Sequence, residues 1–271
     1  MIEILTDFST PALSKAVKCN LYEFFRYLGR SKLTELFTSL ALIRWHTTTP
    51  HPWFNGVLTA SDIDQHTVQD VKAYFQSRSV TSFTRWLEPT LSRAHWEHHL
   101  LPHGFRYDDS TPGLAVDLRK LNHARTAPPN LKITLVSDMP TLKEWTHTFI
   151  TGYQLPATWE SSLLELMTGI GLEWPVRNYM GYLNGKPVAT SNVFLGAGVA
   201  GVQFVATLPE ARGQGIGAAM TLAPLHEVQQ MGYRIGILQS SDLGLKLYQQ
   251  LGFQHVCQME HFYWTSETSK S

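Results

Sequence analysis

The chain has 271 residues, 43% of them hydrophobic, enough for one large domain or two of ordinary size. Its 22 basic and 22 acidic side chains give a formal net charge of zero, which argues against a nucleic-acid footprint or an acidic tail. Cys19 and Cys257 are too few for a disulfide framework, MIEILTDFST does not read as a signal peptide, and no apolar run approaches the ~20 residues of a bilayer span, so a soluble, cytoplasmic protein is expected.

In chain order, Thr10 to Leu28 reads as a helix, with Thr10 as N-cap, Pro11 at its first position and Gly29 at its stop. A second helix is expected over Ser31 to Phe37. Strands follow at Leu40 to His46 and Phe54 to Ala60, with Pro50 and Pro52 marking the turn between them. Asp62 to Gln76 is helical in pattern, Val80 to Trp86 strand-like, Thr90 to Leu101 helical, and Leu114 to Leu118 a short strand. HARTAPPN at His123 to Asn130 reads as a linker, because Pro128 and Pro129 forbid helix continuation. The histidines His95, His98, His99 and His103 carry no HExxH pattern and no cysteine partner, so no metal site is expected.

Beyond the linker, Lys132 to Val136 is a strand, and Asp138 caps a helix running to about Phe149. A further helix covers Thr158 to Thr168. Arg177 to Leu183 and Lys186 to Leu195 form a hairpin about Asn184-Gly185, and Val199 to Leu208 is the next strand. Arg212-Gly213-Gln214-Gly215-Ile216-Gly217 then opens into a helix. Glycines there let the backbone lie close to a ligand, and the helix start offers free N–H groups and a favourable dipole, as a phosphate needs. Pro224 inside this helix is expected to kink it around Met220. Arg234 to Ser240 is a strand and Asp242 to Leu251 a short helix.

Three phosphate motifs compete. A P-loop would need Lys-Ser/Thr after Gly217, where Ala218 and Ala219 stand. A dinucleotide fingerprint fits on paper through Gly213, Gly215, Ala218 and Asp242, but Pro-Glu-Ala-Arg separates it from its strand and too little chain remains for the large fold it belongs to. The third pattern, Arg/Gln-x-x-Gly-x-Gly/Ala, together with Tyr248-Gln249-Gln250-Leu251-Gly252-Phe253 downstream, resembles the GNAT superfamily of N-acetyltransferases over about residues 131 to 264.

That resemblance implies an α/β protein with a mixed sheet flanked by helices. His103-Gly104-Phe105-Arg106 stands where Leu251-Gly252-Phe253-Gln254 stands later, each after a helix, a strand and a helix. Two GNAT-like domains in tandem are therefore expected: residues 1–125, degenerate and without the cofactor loop, and residues 126–271, an acetyltransferase domain. The resemblance further implies acetyl-CoA as acetyl donor and a small-molecule or peptide amine as acceptor, attacked directly without a covalent enzyme intermediate. It assigns the cofactor to the bulged strand at Val205, Ala206 and Thr207, to the loop at Arg212, Gly213, Gln214, Gly215, Ile216, Gly217 and Ala218, and to Ser241, where the family usually has Asn.

Tyr248 is the candidate general acid, with the missing side chain of Gly244 leaving room for a ligand beside its ring, while Leu243, Leu247 and Leu251 form the helix's apolar stripe. Glu173 is the candidate base, with a solvated turn carboxylate as its other reading; His226 and His255 read as surface or core residues. Tyr153, Trp159 and Trp174 either wall the acceptor site or fill the interface between halves. A monomer or homodimer without nucleic-acid, membrane or metal partners is expected. The rival function is an acyl-CoA-binding or regulatory module without turnover.

Overall fold

A computed structural model describes residues 3–49, 52–59, 64–78, 80, 82–86, 93–122 and 127–265. The elements in chain order are helix α1 (Thr10–Leu28), strands β1 (Thr34–Thr38), β2 (Leu42–Thr47) and β3 (Gly56–Thr59), helix α2 (Gln65–Ser77), strand β4 (Ser82–Trp86), helix α3 (Arg93–Leu100) and strand β5 (Arg106–Asp117). They continue with β6 (Leu131–Leu135), α4 (Met139–Gly152), α5 (Glu160–Ile170), β7 (Val176–Leu183), β8 (Lys186–Gly196), β9 (Val199–Thr207), α6 (Ile216–Gln230), β10 (Ile235–Gln239), α7 (Asp242–Gln250) and β11 (Gln254–Thr265). The expected starts at Asp62 and Thr90, the strand end at Ala60 and the domain boundary at residues 125 and 126 lie outside the described residues.

Among the described residues all the strands join one 11-stranded mixed sheet in the order β1-β2-β3-β4-β11-β5-β10-β9-β8-β7-β6. The repeat read from the sequence is present: α2-β4-α3-Gly104-Phe105-β5 matches α6-β10-α7-Gly252-Phe253-β11. The final strands are exchanged, however. β5 of the first half lies antiparallel to β10 of the second, with Ile235 opposite Asp117. β11 of the second half lies antiparallel to β4 of the first, with Phe262 opposite Arg85, and β5 and β11 pair with each other at the centre.

The cores follow the same exchange. Phe262 of β11 is fully buried among Val57, Phe75, Trp96 and Phe105 of the first half. Truncating such a ring leaves a cavity costing about 3–5 kcal/mol. Phe262→Ala should therefore lower the stability of the first half by that order in urea denaturation, although residue 262 is far away in sequence. A loss below about 1 kcal/mol would contradict this packing.

Helix α1 belongs to the first half but lies over the second. The Asn20 side-chain amide donates to the carbonyls of Phe194 (3.3 Å) and Gly196 (3.0 Å) on β8. A Cβ at Gly201 on β9 would sit 2.2 Å from the Asn20 Oδ1, so only glycine admits this close approach. With α4 and α5, α1 covers one sheet face in the largest core cluster; α6 covers the other face.

Several expectations need correction. Residues 31–37 form no helix: Thr34–Thr38 is strand β1, paired antiparallel with β2. A helix that short has little stability of its own, whereas the alternating TELFT segment gains ladder hydrogen bonds and lays Leu36 over Gly29. Ser9, not Thr10, is the N-cap of α1. β5 starts at Arg106 rather than Leu114, because its polar first half pairs with β11. Pro224 lies inside α6, which is one helix from Ile216 to Gln230. The Asp138 cap of α4 is as expected, its carboxylate accepting from Thr141 N at 2.9 Å in a reciprocal capping box. Asn184 and Gly185 both have positive φ in the β7–β8 hairpin, as a type I′ turn requires.

Candidate active site

β9 and β10 run parallel but stay paired only at Ala200 with Gly236 and Gly201 with Ile237. Beyond Gly201 the two strands part, leaving the β10-facing edge of β9 from Val202 to Thr207 without a strand partner among the described residues. On its other edge β9 carries a bulge: Thr190 pairs with Ala206 and Asn192 with Gln203, so Phe204 and Val205 together oppose Ser191. Phe204 adopts φ 54° there and turns its ring among Phe24, Phe149 and Trp145, with centroids 5.9, 5.2 and 6.2 Å away.

The bulge is held from α4. Tyr153, which follows the helix, donates its hydroxyl hydrogen to the Val205 carbonyl at 3.3 Å, and burial pushes its phenol pKa up. A Cβ at Gly152 would meet the Ala206 Cβ at 2.9 Å. Arg212 joins the same place: its Nε donates to Thr207 O at 3.0 Å and its Nη2 to Gly152 O at 2.9 Å. The guanidinium thus ties the glycine loop to β9 and α4 through backbone carbonyls, an anchoring role the sequence reading did not assign.

The loop itself is shaped for an anion. Gly213 and Gly215 have φ 78° and 83°, the left-handed region that favours glycine, and Gly215 is the N-cap of α6. The first α6 amides therefore point out of the helix unpaired, with the positive dipole end behind them. A Cβ at Gly213 would meet no atom within 4 Å, so the loop faces open space. The chemistry and room of this cradle fit a diphosphate, and the free edge of β9 fits an amide-bearing arm.

Loop, parted strands and the start of α7 line one cleft of about 900 Å³. Val205, Ala206, Thr207, Arg212, Gly213, Gly215, Ile216, Gly217, Ala218, Ser241 and Tyr248 all line it. Gln214 lies between two of these residues but is not in the wall. Ser241 is the N-cap position of α7, yet its hydroxyl makes no capping bond, which leaves it to the cleft.

Tyr248 is buried, with its ring edge over Gly244: a Cβ there would lie 2.7 Å from Cε2. The missing side chain at Gly244 thus makes room for the tyrosine ring, and Gly244 and Tyr248 both line the cleft. The expected apolar stripe is altered. Leu243 is 88% exposed at the cleft rim, and Tyr248 is the buried residue of α7. Burial raises the Tyr248 phenol to about 12, while a hydrogen bond with Thr221 pulls it the other way. The group is fully protonated at neutral pH.

Glu173 lies apart from these residues. Its side chain is 87% exposed on the turn before β7, 3.6 Å from the Arg177 guanidinium, and outside the cleft wall. Of the three aromatics, Tyr153 lines the cleft and also meets Trp53 of the first half edge to face at 5.3 Å. Trp159 and Trp174 pack against separate core clusters instead. Among the described residues no group of three or more His, Cys, Asp or Glu side chains is arranged to hold a metal ion. The sequence reading missed Phe24, Phe54, Asp108, Asp109 and His261, first-half or exchanged-strand residues that share the cleft.

Tyr153→Phe removes only the hydroxyl that fixes the bulge. It should lower folding stability by about 1 kcal/mol, the net cost of one lost hydrogen bond to a positioned strand. Urea unfolding checks this: a stability equal to wild type would contradict it.

Residues 176–255 match the family model described as "Acetyltransferase (GNAT) domain". No curated protein matches the chain. Among solved structures, a GCN5-related N-acetyltransferase from Kribbella flavida is similar at 18% identity over 94% of this chain and 96% of that one, with a TM-score of 0.67. A GCN5-related N-acetyltransferase from Sphaerobacter thermophilus is similar at 14% identity over 97% and 94%, with a TM-score of 0.62. A tandem GNAT protein from the clavulanic acid biosynthesis pathway is similar at 12% identity over 89% and 86%, with a TM-score of 0.58. The segment from β7 into β11 accordingly matches the GNAT acetyltransferase domain model, and the chain as a whole has the fold of these structures, a tandem GNAT protein among them.

Proposed function

We propose that the protein is an acetyl-CoA-dependent N-acetyltransferase acting on an amine of a small molecule or peptide. Residues 126–271 form the catalytic unit, and residues 1–125 form a scaffold without a cofactor loop that closes the acceptor side of the cleft. The observation that carries this reading is the continuity of one cleft from the glycine loop, along the unpaired edge of β9, to the buried phenol of Tyr248.

Bound acetyl-CoA supplies a thioester acyl group. The amides at 213–218 hold an anionic diphosphate at the start of α6, and Arg212 keeps that loop fixed against β9. Val205, Ala206 and Thr207 present backbone groups at the parted strand edge. N–H groups held there before reaction stabilise developing negative charge on a carbonyl oxygen. Tyr248 holds its proton on Oη, ready for a departing sulfur. Although its pKa is high, the burial that raises it also raises the proton affinity of a thiolate in the same cleft. Glu173, exposed on its turn, is the weakest member of the candidate set, and water takes the amine proton if Glu173 does not.

Free-thiol release from acetyl-CoA with a panel of amines tests the reading. Amine-dependent release is expected. Tight binding of acetyl-CoA with no release across a broad panel would instead favour an acyl-CoA-binding module without turnover.

A further inference from the structure

The cleft extends past the β9–β10 gap into a chamber walled mainly by the first half. Phe24 and Phe25 of α1, with Trp53 and Phe54 before β3, supply its aromatic faces. Across the gap from β9, β5 runs on beyond the end of β10, whose last pair is Gln239 with Gly113. Asp108, Asp109 and Thr111 lie on this extension and line the chamber. In a regular strand, consecutive side chains point to opposite faces. Here the β5–β11 register shifts between His261 and Phe262, paired with Asp109 and Tyr107, so Asp108 is the extra residue of a bulge. The bulge is how two adjacent carboxylates reach one cavity.

His261 stands opposite Asp109 and lines the same chamber, with only 8% of its surface exposed. Burial lowers its pKa to about 4 against the opposing pull of Asp109, so at neutral pH the imidazole carries no charge to offset the carboxylates. Asp108 and Asp109 line the chamber from exposed positions on the strand; partial desolvation and then the charge of Asp109 still raise the Asp108 carboxyl, and among the described residues no basic side chain counters either effect. Aromatic faces beside carboxylates that lack a countercharge complement an apolar body bearing an ammonium group.

We propose that the acceptor is a cationic alkylamine with an aromatic or bulky apolar body, held in this chamber by Asp108 and Asp109. The substrate class deepens the acetyl-transfer reading and rests on it, but binding can be measured without turnover. The probes are phenethylamine and 4-phenylbutylamine, each compared with the alcohol of the same shape, titrated calorimetrically into the full chain at neutral pH.

The amines should bind at least about tenfold more tightly than the alcohols, as a charge-assisted contact requires. Asp108→Asn and Asp109→Asn should each erode that preference, with unfolding midpoints close to wild type. The wild-type comparison of amine with alcohol stands even where a variant fails to fold. Equal binding of amine and alcohol, no binding of either amine, or undiminished amine binding in both folded variants would overturn the proposal. Coenzyme A titrated into the same samples separates the two claims. Amine binding without coenzyme A binding would remove the acetyl-transfer reading and leave the chamber's selectivity standing; the reverse would do the opposite.

Discussion

Gly213→Asp should weaken acetyl-CoA binding about hundredfold, while Gly213→Asn weakens it only a few-fold. The two substitutions share the same small cost of placing a side chain at φ 78°, since Asn and Asp tolerate left-handed backbone better than other residues. Neither displaces a neighbour, because a Cβ at this position meets no atom within 4 Å. The difference between them therefore reads charge alone: a carboxylate placed beside the amides at 213–218 competes for their positive potential and repels a diphosphate. Calorimetric titration with acetyl-CoA, with urea unfolding as a control on stability, measures it. Equal affinities for the two variants would mean that no anion sits at this turn.

Tyr248→Phe should lower turnover about a hundredfold while leaving acetyl-CoA affinity nearly unchanged. Phenylalanine keeps the ring over Gly244 and against Phe253, whose centroid is 5.9 Å away, so packing is retained. What is lost is a proton held at Oη, with the Thr221 hydroxyl beside it. The pH profile sharpens the test. With the phenol raised to about 12, activity should show no falling limb from this group between pH 7 and 10. Unchanged turnover with weakened acetyl-CoA binding would make the residue a wall of the cleft and not an acid.

The sequence made the second half legible because its signals are local. Asn184-Gly185 fixes a hairpin, Asp138 with Thr141 fixes a helix start, and alternating glycines before a run of helix formers fix the loop. Each depends on backbone chemistry within a few residues, and each is found where expected. The repeat of helix, strand, helix and Gly-Phe was legible for the same reason.

The contacts between distant segments were not legible. Nothing local in Gln254–Thr265 says that its partner on one side is β4, because an alternating strand satisfies its ladder against either neighbour. That exchange carries His261 and the Asp108–Asp109 bulge into the cleft, so their part of the cleft was not legible as a site, whereas Tyr153, read as a candidate wall, does line it. Arg212 fitted a phosphate ligand by charge, yet two backbone carbonyls engage it, a choice set by the approach of α4 to β9. Glu173 was singled out by its place before a strand bordering the cleft, but strand order alone does not say which way a turn residue points.

The most direct test of the account is a crystal structure of the protein grown with coenzyme A. The account predicts diphosphate oxygens within hydrogen-bonding distance of the backbone amides at 213–218, the pantetheine arm along Val205 to Thr207, and sulfur facing the Tyr248 hydroxyl. A structure with that turn empty at saturating coenzyme A, or with the ligand bound elsewhere on the chain, would contradict it.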